Sequence, residues 1–278
     1  MNEKELLEIE NIELKLLIEA IYLKYGYDFK NYAENHLKRR ILRRVKLEDL
    51  KNITELTGKI LYDKEMLKQV LLDLSINVTD MFRFPNFFKD LREEVIPFLK
   101  TYPSINIWHA GCSSGEEVIS MAILLKEEGL LNRVNIYATD MNEQVLDIAK
   151  EGIYPIENVK KWTKNYQEAG GKKSFSDYYI AKYDHAIFDK DLLKNVTFLK
   201  HNLVIDKIFI DANLILCRNV LIYFNQELQN QVLELFEESL ISGGVIGIGS
   251  KENLRFTSVN EKFDSITATK IYKKKIGC

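Results

Sequence analysis

The sequence predicts an α/β protein in which a mostly parallel sheet follows a small all-helical domain. Strand-like apolar runs alternate with amphipathic helices from about residue 105 onward, whereas the first 75 residues show only helical patterns. The chain has 278 residues, 46% of them hydrophobic, which suits one large domain or two smaller domains with a sizeable core. We therefore expect a helical domain over 1–75 and an α/β domain over 76–278.

Composition restricts the class of protein and its compartment. The formal net charge of -2 is close to neutral, so overall charge favours neither a nucleic acid nor a membrane as partner. Cys112, Cys217 and Cys278 are odd in number and lack C-x-x-C spacing. This favours a reducing compartment over disulfides or a zinc site, and we expect no metal. Because the chain shows neither a signal-peptide pattern nor an apolar run of membrane-spanning length, we expect a cytoplasmic protein that does not insert into a membrane.

The N-terminal region consists of helical patterns. Apolar residues recur every three or four positions over 5–25, and a glycine then ends the pattern. A second helix covers 36–46, and shorter helical stretches cover about 53–60 and 64–74. These four segments make up the predicted helical domain.

The second helix carries a concentrated positive charge. Its cations are Lys38, Arg39, Arg40, Arg43, Arg44 and Lys46, and no acid interrupts them. Like charges one helical turn apart repel each other by a few tenths of a kcal/mol, a cost that an acidic partner would offset. A solvated face is the ordinary explanation of such a run, and a docking face for an acidic partner is the sharper one. Nucleic-acid binding is less well supported, because no aromatic residues are interleaved.

The segment 75–85 interrupts the helical pattern. Its Asn, Thr and Asp residues favour turns and helix caps. It also contains apolar and aromatic residues and Arg83, which is unusual for a free linker. A helix over 86–100, ending near Pro97, follows it.

One strand–turn–helix stretch organises the rest of the chain. Ile105–Ala110 is a strand-like run, Gly111 and Gly115 make a turn, and a helix follows. This arrangement brings backbone N–H groups close to a nucleotide-like ligand. The glycines do not form the dinucleotide pattern G-x-G-x-x-G, and Glu116 and Glu117 would repel a phosphate. A cation such as S-adenosylmethionine suits them better. The alternative is a turn without a ligand, in which the two acidic residues stabilise the N-terminus of the helix through its dipole.

Further strand-like runs follow along the chain. They are 133–140, 195–200, 211–217, 245–249 and a closing strand over 266–273, with helices over 143–151 and 227–240. The region from Gly152 to about Asp191 is less regular, and we interpret its part near 170–190 as a small β excursion outside the main sheet.

Polar residues stand where the predicted parallel strands end. Glu117, Asp140, Asn202 and Asn219 are the four candidates. Because ligands bind beyond the carboxyl ends of parallel strands, we expect these side chains around one crevice. An acid in the position of Asp140 commonly accepts hydrogen bonds from ribose hydroxyls.

Six motifs in order resemble those of the chemotaxis receptor methyltransferases (CheR type). They are the N-x-T-x-x-x-R segment Asn77–Arg83, the first cofactor motif Ala110–Glu117, and the segments Ala138–Asp140, His201–Leu203, Cys217–Phe224 and Gly249–Leu254. Each motif alone is weak, but six in order are specific, and together with the basic N-terminal helix the resemblance covers nearly the whole chain. The resemblance implies a Rossmann-like, S-adenosylmethionine-dependent methyltransferase domain with a small β subdomain, preceded by an all-helical domain.

The resemblance also implies a reaction and its residues. The enzyme would methylate glutamates in the helical cytoplasmic part of chemoreceptors and release S-adenosylhomocysteine. The matched cofactor-binding residues are Asn77, Thr79, Arg83, Glu117, Asp140, Asn202, Leu203, Asn219 and Val220. Met81 replaces the more usual Phe in the first motif. Because 169–173 lacks the arginine with which some members hold a C-terminal receptor peptide, we expect docking through the basic helix instead of a peptide tether.

Methylation of a carboxylate needs no general base, because the acceptor, with a reference pKa near ~4.3, is already ionised. The four histidines stand at unrelated spacings, and we interpret them as structural. Since two charges become neutral products, alignment and exclusion of water should contribute most of the rate. We expect Arg83 to orient the acceptor or to close the loop over the cofactor. We expect Tyr223 to line the site, with a packed aromatic beside Phe224 as the alternative.

Three other functions remain open at this point. A methyltransferase of the same fold could act on another protein or a small molecule, and only a substrate test separates that function from the first. A cofactor sensor without catalysis is disfavoured by the intact Asn77, Thr79, Arg83 and Tyr223. An NAD-dependent oxidoreductase is disfavoured by the missing dinucleotide pattern and by the Glu116–Glu117 pair.

Overall fold

The computed structural model describes residues 2–74, 79–208 and 210–277. By their contacts these residues divide into two compact units. The helical unit comprises the described residues up to Leu74 together with Tyr223–Gln229, and the α/β unit comprises the others.

The helical unit contains α1 (Glu3–Tyr25), α2 (Glu34–Leu47), α3 (Ile53–Tyr62) and α4 (Lys64–Leu74). A capping box at Asn2 begins α1, and Gly26, with φ of 77°, ends it. Leu37, Ile41 and Val45 form the buried line of α2, as their helical spacing predicts. Within 2–74, 79–208 and 210–277, no helix combines the length and the apolar character that crossing a bilayer requires.

The α/β unit begins with a continuous helical segment made of α5 (Pro85–Asp90), a π-helical turn (Leu91–Val95) and α6 (Ile96–Leu99). The sequence predicts a helix that ends near Pro97, but the segment continues through Pro97 to Leu99. Proline lacks an N–H group and its ring crowds the preceding turn. The wider π-helical turn directly before it, in which Ile96 donates to the carbonyl of Leu91, makes room for the ring.

The remaining elements alternate along the chain. They are β1 (Ile105–Ala110), α7 (Glu116–Glu127), β2 (Val134–Asp140), α8 (Glu143–Glu151), β3 (Ile153–Pro155), α9 (Val159–Glu168), β4 (Tyr179–Lys182), β5 (His185–Phe188), β6 (Val196–Lys200), β7 (Ala212–Cys217), α10 (Gln226–Ser239), β8 (Leu240–Ile248), β9 (Phe263–Ser265) and β10 (Ile271–Lys274).

The main sheet has the strand order β6-β2-β1-β7-β8-β10-β9. The strands from β6 to β8 in this order are parallel, and β10 is antiparallel to both of its neighbours. The predicted mostly parallel sheet is therefore confirmed. Every residue of β7 is buried, as are all but one of β1, which is the pattern of central parallel strands covered on both faces.

The strand order places a topological switch point between β1 and β7. From β1 the chain adds β2 and then β6 on one side, and it returns to add β7 and β8 on the other. Connections therefore leave the carboxyl ends of β1 and β7 in opposite directions and open a crevice between them. The motif residues follow these two strands.

The predicted β excursion is an antiparallel sheet of order β3-β5-β4, which begins earlier than expected with β3. The sequence analysis did not identify α9, although its buried Trp162 and Tyr166 stand one helical turn apart. It also did not identify β9. In the turn after α9, a Cβ on Gly171 would lie 2.2 Å from the ring of Tyr166, so packing explains this glycine.

Candidate active site

Parallel pairing brings the predicted polar residues to one edge of the main sheet. Asp140 is the last residue of β2, Asn202 follows β6, and Asn219 follows β7. Glu117 lies in the first turn of α7, which the turn after β1 joins to the same edge. The expected gathering of four polar side chains at one edge thus agrees with the topology of the strands.

The turn after β1 packs directly on the residues after β7. Gly111 has φ of 77°, and a Cβ at this position would lie 2.6 Å from Cγ2 of Val220. A side chain at residue 111 would therefore collide with Val220, one of the predicted cofactor contacts. Glycine permits both the left-handed backbone and the close approach of the two strand ends.

Asp140 ties the turn after β1 to the end of β2. Its Oδ2 accepts the backbone N–H of Ser113 at 2.9 Å, and its Oδ1 accepts that of Asn142 at 3.0 Å. Burial raises the pKa of Asp140, and the donating amides act in the opposite direction. A carboxylate offers about four lone-pair positions, and the backbone amides of Ser113, Met141 and Asn142 occupy three of them, so one position remains for a ribose hydroxyl.

Glu117 is held by two buried residues that the sequence analysis did not assign to the site. Its Oε2 lies 2.7 Å from Nη1 of Arg218, and its Oε1 lies 3.2 Å from Nδ1 of His109. Burial by itself would raise the pKa of Glu117, but Arg218 and His109 outweigh it and lower that pKa to about 2. Glu117 is therefore ionised throughout the physiological range.

Arg218 connects three parts of the site. Besides Glu117, its guanidinium donates from Nη2 to the carbonyl of Arg83 at 2.8 Å, and it lies 4.0 Å from the ring centroid of Phe87. Its side chain is only 3% exposed. The contact fixes the backbone of Arg83 relative to Glu117. An arginine that directly follows a fully buried strand is itself buried and needs an acidic or carbonyl partner. The position of Arg218 after the strand-like run 211–217 could therefore have indicated a site residue.

Glu116 behaves differently from its neighbour. It is 7% exposed, and its Oε2 accepts the hydroxyl of Ser114 at 2.8 Å. Burial is the main cause that raises the pKa of Glu116 to about 7, and the nearby Asp80 acts in the same direction. Near neutral pH Glu116 is therefore only partly ionised, whereas Glu117 is fully ionised.

Residues 79–84, the described part of the segment before α5, are anchored in the core of the α/β unit by their apolar side chains. Met81 and Phe82 are fully buried. The backbone N–H of Phe82 donates to the hydroxyl of Ser120 at 2.9 Å, and the carbonyl of Met81 accepts Nδ2 of Asn165 at 3.0 Å. Arg83 follows directly and is positioned by these anchors. Residues 81–83 are therefore part of the folded α/β unit.

The other matched residues also shape the edge. The side-chain Oδ1 of Asn202 accepts the backbone N–H of Val204 at 3.0 Å, and the backbone N–H of Asn202 donates to Oδ2 of Asp206 at 2.7 Å. The backbone N–H of Asn219 donates to Glu252 at 3.1 Å. Glu252, inside the last of the six motifs, was not predicted as a site residue. Thr79 and Val220 are half-buried, Leu203 is buried, and Asn77 lies outside the described residues.

Tyr223 belongs to the helical unit. Its ring packs edge-to-face on His36 with centroids 5.7 Å apart, and its carbonyl accepts the backbone N–H of Ala33 at 2.8 Å. These contacts agree with a packing function for the ring. A function of Tyr223 in catalysis stays a prediction.

Half of the cations on α2 are engaged within the helical unit. Lys38 pairs with Glu10 at 2.9 Å, Arg44 pairs with Asp73 at 2.5 Å, and Arg40 donates to the carbonyl of Asp73 at 2.6 Å. The exposed cations are Arg39, Arg43 and Lys46. No acidic residue interrupts the cations of α2 in the sequence, but in the fold Glu10 of α1 and Asp73 of α4 pair with Lys38 and Arg44.

The carboxyl edge suits S-adenosylmethionine. Glu117 stays ionised, which suits a cationic ligand, and Asp140 is an acceptor of the kind that a ribose hydroxyl requires. The contact between Gly111 and Val220 gives a narrow backbone cradle. The guanidinium of Arg218 is occupied by Glu117 and by the carbonyl of Arg83, so it is not offered to a pyrophosphate. The residues therefore fit the predicted cofactor.

Comparison with protein families yields two matches. Residues 77–272 match the CheR methyltransferase, SAM binding domain, and residues 12–75 match the CheR methyltransferase, all-alpha domain.

Individual relatives match along most of their length. "Putative methyltransferase Cher3" of Pseudomonas putida is 49% identical over 265 residues, which cover 95% of this chain and 97% of the relative. The chemotaxis protein methyltransferase of Borreliella burgdorferi is 31% identical, with 90% of each chain covered. The protein of the same name in Listeria monocytogenes is 31% identical, with 82% of this chain and 85% of the relative covered.

Proposed function

Because the chain belongs to the CheR methyltransferase family and contains its S-adenosylmethionine-binding domain, we propose that it methylates glutamate side chains of chemoreceptors. The similarity, over 82–90% of this chain, to proteins named chemotaxis protein methyltransferase is the observation that carries this proposal. The reaction would take place in the cytoplasm, where the helical part of a chemoreceptor lies.

The carboxyl edge of the sheet would hold the methyl donor. When bound, S-adenosylmethionine supplies a sulfonium-linked methyl group, whose transfer to an ionised carboxylate leaves a methyl ester and S-adenosylhomocysteine. Glu117 would face the cationic part of the donor, and Asp140 would accept a ribose hydroxyl. The other proposed contacts are Asn77, Thr79, Arg83, Asn202, Leu203, Asn219 and Val220.

The acceptor carboxylate needs orientation more than activation. It is ionised near neutral pH, so no side chain has to remove a proton. Arg83 would orient this carboxylate, because Arg218 and the anchored segment 81–82 hold its backbone in place. Tyr223 is proposed as a further lining group. Positioning of this kind can account for up to ~7–11 kcal/mol of a barrier.

Methyl transfer from labelled S-adenosylmethionine to receptor-bearing membranes tests the proposed function. Label on a receptor that mild base releases as methanol would establish carboxyl methylation. If no label is transferred although the same preparation binds the donor, the substrate is another protein or a small molecule.

Arg83→Ala tests the proposed orienting residue. We expect kcat to fall by about 100-fold, as for a misplaced reacting group, while the Kd for S-adenosylmethionine changes much less. Arg133→Ala, which removes an exposed arginine elsewhere in the α/β unit, is the matched control. An unchanged kcat in Arg83→Ala would exclude this residue from the mechanism.

We propose that Arg39, Arg43 and Lys46 form the docking face for an acidic receptor. These three exposed cations share one side of α2, whereas Lys38, Arg40 and Arg44 stabilise the helical unit. Reversing the three exposed charges to Glu should raise the KM for receptor about tenfold, since exposed ion pairs contribute ~0.2–1 kcal/mol each.

The control for this docking test carries the same change of charge elsewhere. Lys4, Lys15 and Lys64 are also exposed in the helical unit, and all three are replaced by Glu. Equal values of KM for receptor in the two triple variants would show that the exposed cations of α2 form an ordinary solvated surface and do not bind the receptor. The Kd for S-adenosylmethionine should stay unchanged in both.

A further inference from the structure

A cavity of about 350 Å³ opens beside the predicted orienting residue. Phe84, which directly follows Arg83, forms part of its wall together with Phe87. Arg218 and Ser250, which follow the carboxyl ends of β7 and β8, form another part. This inner cavity therefore adjoins the edge of the sheet at which the methyl donor would bind.

A second cavity, of about 270 Å³, continues from the first. Its polar lining comes from Arg255, Asn260, Ser265, Thr267 and Tyr272. Ala268 and Lys270 line both cavities, so the two share a wall. We call the inner and outer cavities together the acceptor cleft.

The lining of the outer cavity is more positive than that of the inner cavity. Arg218 in the inner cavity is already paired with Glu117, and Glu168 supplies a negative charge there. Lys270 stands at the shared wall and Arg255 in the outer cavity. Among the described residues that line the outer cavity, none is acidic. This part of the cleft is complementary to a negatively charged ligand.

The wall that carries Lys270 is anchored on two sides. The carbonyl of Lys270 accepts the backbone N–H of Ile248, at the end of β8, at 3.1 Å. The hydroxyl of the preceding Thr269 donates to Asp90 at 2.6 Å. The turn between β9 and β10 is therefore held in place, and a preformed wall loses little conformational freedom when a ligand binds.

We propose that the acceptor cleft binds the polypeptide segment around the methyl-accepting glutamate and selects segments with an additional acidic residue nearby. The accepting side chain would enter the inner cavity next to Arg83, where the half-exposed ring of Phe84 can cover its apolar part. The neighbouring acid would reach Lys270 and Arg255. This inference rests on the proposed function, because it assumes a glutamate within a protein as the acceptor.

Charge reversal at Lys270 and Arg255 tests the inference. The acceptor is a helical cytoplasmic receptor fragment, and initial rates are measured with labelled S-adenosylmethionine. For Lys270→Glu/Arg255→Glu we expect the KM for the fragment to rise at least about tenfold, and kcat and the Kd for S-adenosylmethionine to stay within about twofold. The control, Lys160→Glu/Lys207→Glu, reverses two exposed lysines that line neither cavity.

A complementary change on the acceptor identifies the occupant. Neutralising the acids that flank the methylated glutamate should raise the KM of the wild-type chain but have little effect in the double variant. If the double variant does not fold, Arg255→Glu alone serves instead, because Arg255 is exposed. Wild-type values of KM in the charge-reversed variant, or equal sensitivity of both chains to the flanking acids, would overturn the inference.

Failure of the inference can be distinguished from failure of the proposed function. If the wild-type chain transfers no base-labile label to any receptor fragment, the proposed function is wrong and the inference is wrong with it. If the wild-type chain transfers label and charge reversal at Lys270 and Arg255 has the same effect as the control, only the inference is wrong.

Discussion

Replacing Glu116 with glutamine is expected to stabilise the α/β unit above pH 7 and to have little effect near pH 4. In the folded chain the pKa of Glu116 is raised from 4.5 to about 7, chiefly by burial. Between these values the unfolded chain releases a proton that the folded chain retains, so the free energy of unfolding of the wild type decreases as pH rises. Glutamine has a similar shape and no such proton.

The expected magnitude follows from the two pKa values. Each pKa unit corresponds to about 1.4 kcal/mol, so the rise from 4.5 to about 7 amounts to roughly 3 kcal/mol. This contribution is fully present below pH 4.5 and is lost as pH rises through about 7. At pH 8 the free energy of unfolding of Glu116→Gln should therefore be higher than that of the wild type by roughly 3 kcal/mol.

The adjacent Glu117 provides the matched control with the opposite sign. Burial would raise its pKa, but Arg218 and His109 lower it to about 2, so its contribution is present above pH 4.5 and is lost as pH falls through about 2. Glu117→Gln should destabilise the chain at pH 8, since it leaves the buried guanidinium of Arg218 without its carboxylate.

Urea unfolding followed by tryptophan fluorescence is the appropriate assay, because Trp108 and Trp162 both lie in the α/β unit. The three chains are compared between pH 4 and pH 8 at constant ionic strength. A difference between Glu116→Gln and wild type that does not change with pH would refute the assignment of a raised pKa. Loss of stability in Glu116→Gln at pH 8 would refute it as well.

Other substitutions test the construction of the site. Gly111→Ala should lower the free energy of unfolding by ~1–3 kcal/mol more than Gly129→Ala and should weaken binding of S-adenosylmethionine, because both glycines have positive φ but only the first Cβ meets Val220. Equal losses would contradict the steric argument. Arg218→Met should lower the free energy of unfolding by about 3–5 kcal/mol, and adding Glu117→Gln should recover part of this loss. If the losses of the two single variants simply add in urea unfolding, the two residues are not coupled.

Local periodicity predicted most of the secondary structure. The four helices of the helical unit follow from a spacing of about 3.6 residues, and the mostly parallel sheet follows from short apolar runs that alternate with helices. The three-residue strands β3 and β9 were too short to show a pattern, and α9 was not identified although it is as long as α3. Pro97 was interpreted as a helix end because the π-helical turn that accommodates it has no simple sequence signal.

The order of the motifs and the positions of Glu117, Asp140, Asn202 and Asn219 at strand ends were determined by the sequence alone, since strand ends are local features. Only the tertiary structure decided which charges are available. Arg218 pairs with Glu117 from 101 residues away, and Asp73 pairs with Arg44 from another helix. Glu116 and Glu117 are identical and adjacent, yet one has a raised pKa and the other a lowered one, because burial and charged partners are properties of the folded chain.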